Sequence, residues 1–225
     1  MSSRSSRSSS SRSSIKKYNF SNNNNKRTLN LVEEDDEEEP EILEIKVIDN
    51  TIYLYSVITN ELALNLNIAI KELEKKLLIL SITYNIPAPE IIIRINSEGG
   101  DVYAALSIVD TIKNCKVPIH TIIEGCTASA STMISTVAHK RSIMENAHML
   151  IHQMSSGFWG KFAEFEDEMQ NQNRFMTTIK KIYKDHTNLK GRTLDNCLSK
   201  DIWWPADVCL KHGLVDEIIK PDSSF

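Results

Sequence analysis

Apolar residues recur along this chain in two rhythms, short β-branched runs and longer stretches spaced by threes and fours, and the two alternate. Ile42–Ile48 and Thr51–Val57 read as short strands around an Asp49-Asn50 turn. Leu62, Leu66, Ile70, Leu73, Leu77 and Leu80 then predict an amphipathic helix over about 60–80. After the Pro87-Ala88-Pro89 break, Glu90–Asn96 carries Ile91, Ile92 and Ile93 and reads as a strand. Ser97-Glu98-Gly99-Gly100-Asp101 turns it into a helix from Val102 to about Asn114. A third unit of this kind runs from the strand Lys116–Glu124 through the turn at Ser129 into a helix over Met133–Ala138.

Two further strands are expected, Arg141–Glu145 and His148–Gln153. Beyond the loop 155–160, a long helix over about 161–186 carries a stripe of Phe162, Phe165, Met169, Met176, Ile179 and Tyr183, interrupted by Gln172. A narrow apolar seam on a polar helix suits either a partner helix or packing within its own domain. The pattern leaves both open. A short helix near Thr193–Ser199, the Asp201-Ile202-Trp203-Trp204-Pro205 turn, a helix to Lys211 and a strand Leu214–Ile219 close the chain. Strands alternating with helices define an α/β fold.

Composition bounds what surrounds this domain. The 225 residues, 41% hydrophobic and 25% charged, fit one globular domain over 40–225 with a tail over 1–39. Residues 1–27 are almost entirely serine, asparagine, arginine and lysine, with seven basic residues and no acidic one, too little apolar surface to fold. A tail so rich in serine and arginine also resembles organelle transit peptides, although it lacks their apolar face. Seven consecutive acids, Glu33–Glu39, follow as a solvated linker. No apolar run is long enough to span a bilayer and no secretory apolar core opens the chain, so a soluble, unexported protein is expected. Cys115, Cys126, Cys197 and Cys209 are scattered without metal-ligand spacing, so neither a disulfide framework nor a zinc site is expected. A net charge of -4 excludes general attraction to nucleic acid, and the basic tail supports only salt-sensitive, unspecific binding.

Candidate chemistry gathers at the strand-to-helix turns. Ser129 on a tight turn is exposed and fixed, and the helix behind it would aim unpaired N–H groups and a partial positive charge at an oxyanion formed there. The blander role for such a serine is a helix cap. Gly99-Gly100 lies at the end of the neighbouring strand, which makes the N–H groups of Gly100 and Ala130 plausible oxyanion donors. A serine nucleophile needs a base near neutral pH, the work of histidine. His152 ends its strand where a loop begins, with His148 on the same strand face as the rival, whereas His186 and His212 sit near helix ends that favour positive charge anyway. Several carboxylates could orient the base, and Asp201, entering an aromatic and poorly solvated turn, is one candidate. Ser131 is an alternative nucleophile, but on a helix it would be turned about 200° from Ser129.

The order INSEGGDV, EGCTASAST, MLIHQM and KDIWWPADVCLKHGLVDEI resembles the Clp protease proteolytic subunit, a barrel-forming serine peptidase of the crotonase-like superfamily. The likeness covers about 42–220, including the spacing between motifs. It implies a crotonase-like spiral of strand-turn-helix units with a protruding handle helix. It also implies a Ser129–His152–Asp201 triad, with the aspartate twelve residues before the glycine of GLVD and oxyanion donors at Gly100 and Ala130. Implied partners are further copies in stacked heptameric rings, unfolded polypeptide substrates and a Clp-type AAA+ ATPase. ATP would be used by that ATPase, with no cofactor in this chain. The expected compartment is the cytoplasm, or a plastid or mitochondrion if the tail is a transit peptide. Glu98, Ala130-Ser131 and Met154 stand where the family has proline, Met-Gly and proline, changes that bear on pocket shape and peptide preference. The competing readings are an inactive ring subunit and a crotonase-like acyl-CoA enzyme.

Overall fold

Ile91, Ile93 and Ile95 are completely buried while Ile92, Arg94 and Asn96 are only partly so, and this alternation makes β3 (Ile91–Ser97) a strand covered more fully on one face. The computed structural model describes residues 45–220; the expected tail over 1–39 and the start of the first strand at 42–44 lie outside them. Around β3 the sheet runs in the order β1 (Ile45–Ile48), β2 (Thr51–Leu54), β3, β4 (Ile119–Ala128), β5 (Lys140–Met144) and β8 (Glu217–Ile219). Only the β1–β2 pair is antiparallel along this path. The crossovers carry α1 (Asn60–Tyr84), α2 (Val102–Lys113) and α3 (Ala130–Thr136), so successive strand-turn-helix units add strands to one edge.

The helices start where capping chemistry permits. Thr59 Oγ1 accepts the Leu62 N–H at 3.0 Å, and Asp101 Oδ1 accepts the Ala104 N–H at 2.7 Å. Each such cap stabilises its helix by about 1 kcal/mol. The expected stripe on α1 is buried from Leu62 to Leu77, but Leu80 is exposed and the helix continues to Tyr84 before Asn85 closes it in a left-handed conformation. Buried faces of α1, α2 and α3 and the isoleucines of β3 share one apolar core.

β4 is longer than the sequence pattern indicated, and that extra length builds the site. His120–Ile123 pairs with β5, whereas Cys126–Ala128 pairs with β6 (His148–Leu150), so the sheet forks at Glu124-Gly125. Gly125 has φ +67°, and a Cβ there would come within 2.9 Å of Asn96 Oδ1. Asn96 in turn accepts the Cys126 N–H at 3.1 Å, beside the register shift between Ile95 and Ser97. β6 ends at Leu150 rather than Gln153, and β8 begins at Glu217 rather than Leu214.

The long helix α4 (Phe162–His186) divides the expected stripe in two. Ile179, Ile182 and Tyr183 are buried and Met176 packs against the core. Phe162, Phe165 and Met169 are exposed, and Phe158 meets Phe165 edge-on at 5.2 Å. Packing within the domain therefore holds for the second half of this helix, while the apolar residues of its first half are open to solvent. Two short helices, α5 (Gly191–Leu198) and α6 (Ala206–Lys211), flank the two-residue strand β7 (Trp204–Pro205). No described helix is long and apolar enough to cross a membrane.

Candidate active site

Ser129 is the single residue between β4 and α3, at φ 54° and ψ −125°. An L-residue is held there at a cost of roughly 1–3 kcal/mol, so the surrounding structure must impose it. Two contacts do so. The Ser129 N–H donates to Leu150 O at 2.9 Å, extending the β4–β6 ladder, and its carbonyl accepts from Thr132 N at 3.1 Å and Thr132 Oγ1 at 2.5 Å. The serine side chain makes no capping hydrogen bond, so the bland reading of this residue as a cap does not hold.

Ser131 has a different role. It is completely buried, accepts the Ala128 N–H at 3.1 Å, and lies 2.9 Å from Ser97 O and 2.7 Å from Ala128 O as donor. Its hydroxyl ties β3 to the turn and is closed to solvent.

Glycines bring the next loop against the serine. Gly99, at φ +98°, lies so close that a Cβ would stand 2.6 Å from Ala128 O and 2.8 Å from Ser129 Cβ. Gly100 forms a parallel bridge to Ile58 through its neighbours: Ile58 N donates to Gly99 O and Asp101 N to Ile58 O, both at 2.8 Å. The Gly100 N–H takes no part in that bridge. Ala130, first residue of α3, has an N–H without an intrahelical acceptor. α3 has only seven residues, so it brings no long helix dipole to Ser129.

Strand pairing delivers the histidine and the aspartate. β6 runs antiparallel to β7 with His148 opposite Pro205 and Met149 opposite Trp204. Continued along both chains, this register sets His152 opposite Asp201. His152 Nδ1 and Asp201 Oδ1 are 3.2 Å apart. The Gln153 N–H donates to Leu198 O at 2.7 Å and fixes the loop that follows. The aspartate's surroundings differ from expectation: its side chain is 80% exposed, because Ile202 and Trp203 beside it are themselves exposed and do not cover it. The rival His148 is exposed and directs Nδ1 to Asn146 O at 3.1 Å.

The two helix-end histidines are also placed. His212 stacks on Trp204 at 4.7 Å. His186 does not profit from its helix end, since burial, then Lys113 and Arg141, push its pKa below the ordinary histidine value.

Gly100, Ser129, Ala130 and His152 line one small cleft of about 60 Å³, with Met133, Met154 and Ile179 among its apolar walls. No Ser129–His152 hydrogen bond is formed among the described residues; in unliganded enzymes this contact is often long and tightens only with substrate. Sequence patterns missed Tyr183 as a site residue. Its ring is buried in the cleft wall, its hydroxyl meets Thr132 Oγ1 at 2.6 Å, and burial pushes its pKa up to about 12. Tyr183, Thr132 and the Ser129 carbonyl therefore form one chain of hydrogen bonds. The only sequence signal was a hydroxyl inside an otherwise apolar stripe.

Comparison with known proteins gives a consistent assignment. The family model described as Clp protease matches residues 45–222. A Deinococcus radiodurans protein named ATP-dependent Clp protease proteolytic subunit is 33% identical over 135 residues, covering 59% of this chain and 66% of that protein. From Streptomyces coelicolor, ATP-dependent Clp protease proteolytic subunit 3 is 31% identical over 136 residues, covering 60% of this chain and 63% of its own length. The chain thus spans a little under two thirds of these relatives. Among solved structures, a point mutant of ClpP1 from Listeria monocytogenes superposes with a TM-score of 0.67 at 27% identity, over 77% of this chain and 92% of that one. With the family model matching most of its length and the strand-turn-helix architecture shared with that structure, this chain belongs to the Clp protease family.

Proposed function

We propose that the chain is a serine endopeptidase subunit that hydrolyses unfolded polypeptides to short peptides. One observation carries this reading. An uncapped serine is held in a strained turn, in one cleft with a histidine whose Nδ1 faces a carboxylate at 3.2 Å. Ser129 Oγ attacks the scissile carbonyl carbon while His152 takes the hydroxyl proton through Nε2. Asp201 at Nδ1 keeps the tautomer that leaves Nε2 free to accept and stabilises the imidazolium that results. The N–H groups of Gly100 and Ala130 donate to the carbonyl oxygen as it becomes an oxyanion; each such donor is worth about 3–4 kcal/mol in other enzymes. Collapse of the tetrahedral intermediate passes the His152 proton to the leaving amine and leaves an acyl-serine. Water, deprotonated by His152, then releases the product and restores Ser129.

An active site in a cleft this small takes an extended chain and not a folded protein. In our reading, further copies of the chain enclose the site in stacked heptameric rings, and a Clp-type AAA+ ATPase unfolds and feeds the substrate in the cytoplasm. ATP is consumed by that partner and the chain itself uses no cofactor. The exposed aromatic half of α4, with Trp159 97% exposed in the loop that precedes it, supports contacts between copies. The test is hydrolysis of a fluorogenic peptide by the assembled protein, compared with Ser129→Ala and His152→Ala. Cleavage lost in both variants supports the reading. Cleavage retained in either removes that residue from the mechanism.

A further inference from the structure

A second cavity, of about 240 Å³, is lined by residues that adjoin His152 and Asp201 in the chain. Its walls include Ile151, Cys197, Lys200, Ile202 and Trp204. Ile151 precedes His152, and Lys200 and Ile202 bracket Asp201, so the cavity wall is covalently continuous with both members of the 3.2 Å contact. The Gln153 N–H to Leu198 O bond at 2.7 Å ties the histidine loop to the end of α5, beside Cys197. The volume matches a small aromatic group: an apolar cavity of roughly 150 Å³ already accommodates benzene. Isoleucine, thiol and indole surfaces make up the larger part of its lining, Thr193 and Asn196 add polar groups, and the ammonium of Lys200 is its charged group.

We propose that this cavity is a regulatory binding site for an uncharged apolar group the size of a small aromatic ring, and that filling it slows catalysis by displacing His152 from Asp201. The coupling rests on the peptidase reading above, whereas the binding does not. A group held in the cavity bears on Ile151 and Ile202, whose backbone is continuous with His152 and Asp201. A misplacement near 1 Å in a catalytic constellation costs on the order of 10²-fold in rate.

Cys197 provides a handle. Burial raises its pKa above the ordinary thiol value, so little thiolate is present at neutral pH and an unguided reagent reacts slowly. Benzyl methanethiosulfonate would deliver a benzyl group to this thiol. The Cys197 sulfur attacks the sulfenyl sulfur, a new S–S bond forms, methanesulfinate leaves with the bonding electron pair, and the thiol proton passes to solvent. Cys126 is also partly exposed, so the experiment uses the full chain carrying Cys126→Ser, with Cys197→Ser added as the control.

Intact-mass kinetics would compare the benzyl reagent with the anionic sulfonatoethyl methanethiosulfonate, each normalised to its rate with N-acetylcysteine. An apolar site gives a benzyl preference of about tenfold or more, against the attraction that Lys200 exerts on the anion. A ratio equal to or below that of the free thiol overturns the binding site. In the benzyl-loaded protein, the rate of Ser129 labelling by a fluorophosphonate should fall at least about tenfold and return when dithiothreitol removes the group. Near-UV circular dichroism unchanged on loading separates this effect from unfolding, and an unchanged labelling rate in a fully loaded protein overturns the coupling. A chain that never reacts with fluorophosphonate before loading refutes the serine reading and the coupling with it. The reactivity ratio still decides the binding site.

Discussion

Replacing Tyr183 by Phe removes one oxygen from a completely buried ring and leaves the rest of its packing in place. That oxygen lies 2.6 Å from Thr132 Oγ1, whose own proton goes to the Ser129 carbonyl at 2.5 Å. Losing the first hydrogen bond leaves Thr132 a partner short in a dry site, a cost of about 1–1.5 kcal/mol. For a domain of this size that lowers the melting temperature by about 2–6 °C. The same sum is comparable to the roughly 1–3 kcal/mol of strain stored at Ser129, so the turn relaxes and fluorophosphonate labelling slows by about tenfold. The two effects have a pH signature. Burial raises the Tyr183 pKa from 10 to about 12, so the unfolded chain loses this proton at lower pH than the folded chain does. The contribution is complete below pH 10 and is lost as pH rises from about 10 to 12, by on the order of 2–3 kcal/mol. Tyr183→Phe should remove that alkaline loss. Melting curves and labelling rates for both proteins at about pH 7.5 and across the alkaline range provide the assay. Identical melting temperatures and labelling rates would refute the argument that Tyr183 holds the serine turn.

Single contacts elsewhere give further expectations. Gly99→Ala puts a methyl group within 2.6 Å of Ala128 O at φ +98°, so peptidase activity should be lost even where circular dichroism shows a folded domain; full activity would mean the loop is not held against the serine. The Asp216 carboxyl is held below the usual range by its hydrogen bonds from Arg141. Its stabilisation is present above the unfolded carboxyl pKa of about 3.9 and lost as pH falls through the lower folded value. Because the side chain is 43% exposed, the contribution is discounted to about 1 kcal/mol or less. Urea melts of Asp216→Asn should show less acid destabilisation, and an unchanged acid limb would contradict this. On α4, Phe165→Glu with Met169→Glu should break contacts between copies and lower the sedimentation coefficient, whereas Met176→Glu should destabilise the fold itself. An unchanged sedimentation profile in the double variant would remove this face from the assembly.

Much of this was legible in the chain because local chemistry dictates it. Leu62, Leu66, Ile70, Leu73 and Leu77 mark the buried face of α1, and Asp101 marks the start of α2 with an aspartate cap. Gly99-Gly100 and Ser129 could be placed on adjacent turns because each follows an apolar run. What sequence did not disclose depends on distant partners. β4 extends past Glu124 because Asn96, 30 residues away, receives the Cys126 N–H and Gly125 admits the bend. Aromatic neighbours suggested a covered Asp201, but Ile202 and Trp203 face solvent with it. Tyr183 meets Thr132 across 51 residues, and nothing near either position announces the pair. The stripe on α4 has one periodicity throughout, yet only its second half meets the core, since periodicity records an apolar face and not what covers it.

The proposed chemistry depends first on Ser129 being an activated nucleophile. Reaction of the assembled protein with a fluorophosphonate, followed by mapping of the adduct by mass spectrometry, addresses this without any substrate. We expect one adduct per chain on Ser129, absent in Ser129→Ala and retained when the buried Ser131 is replaced by Ala in a variant that still folds. An adduct on Ser131, or no adduct on an assembled protein, would show that Ser129 is not the nucleophile.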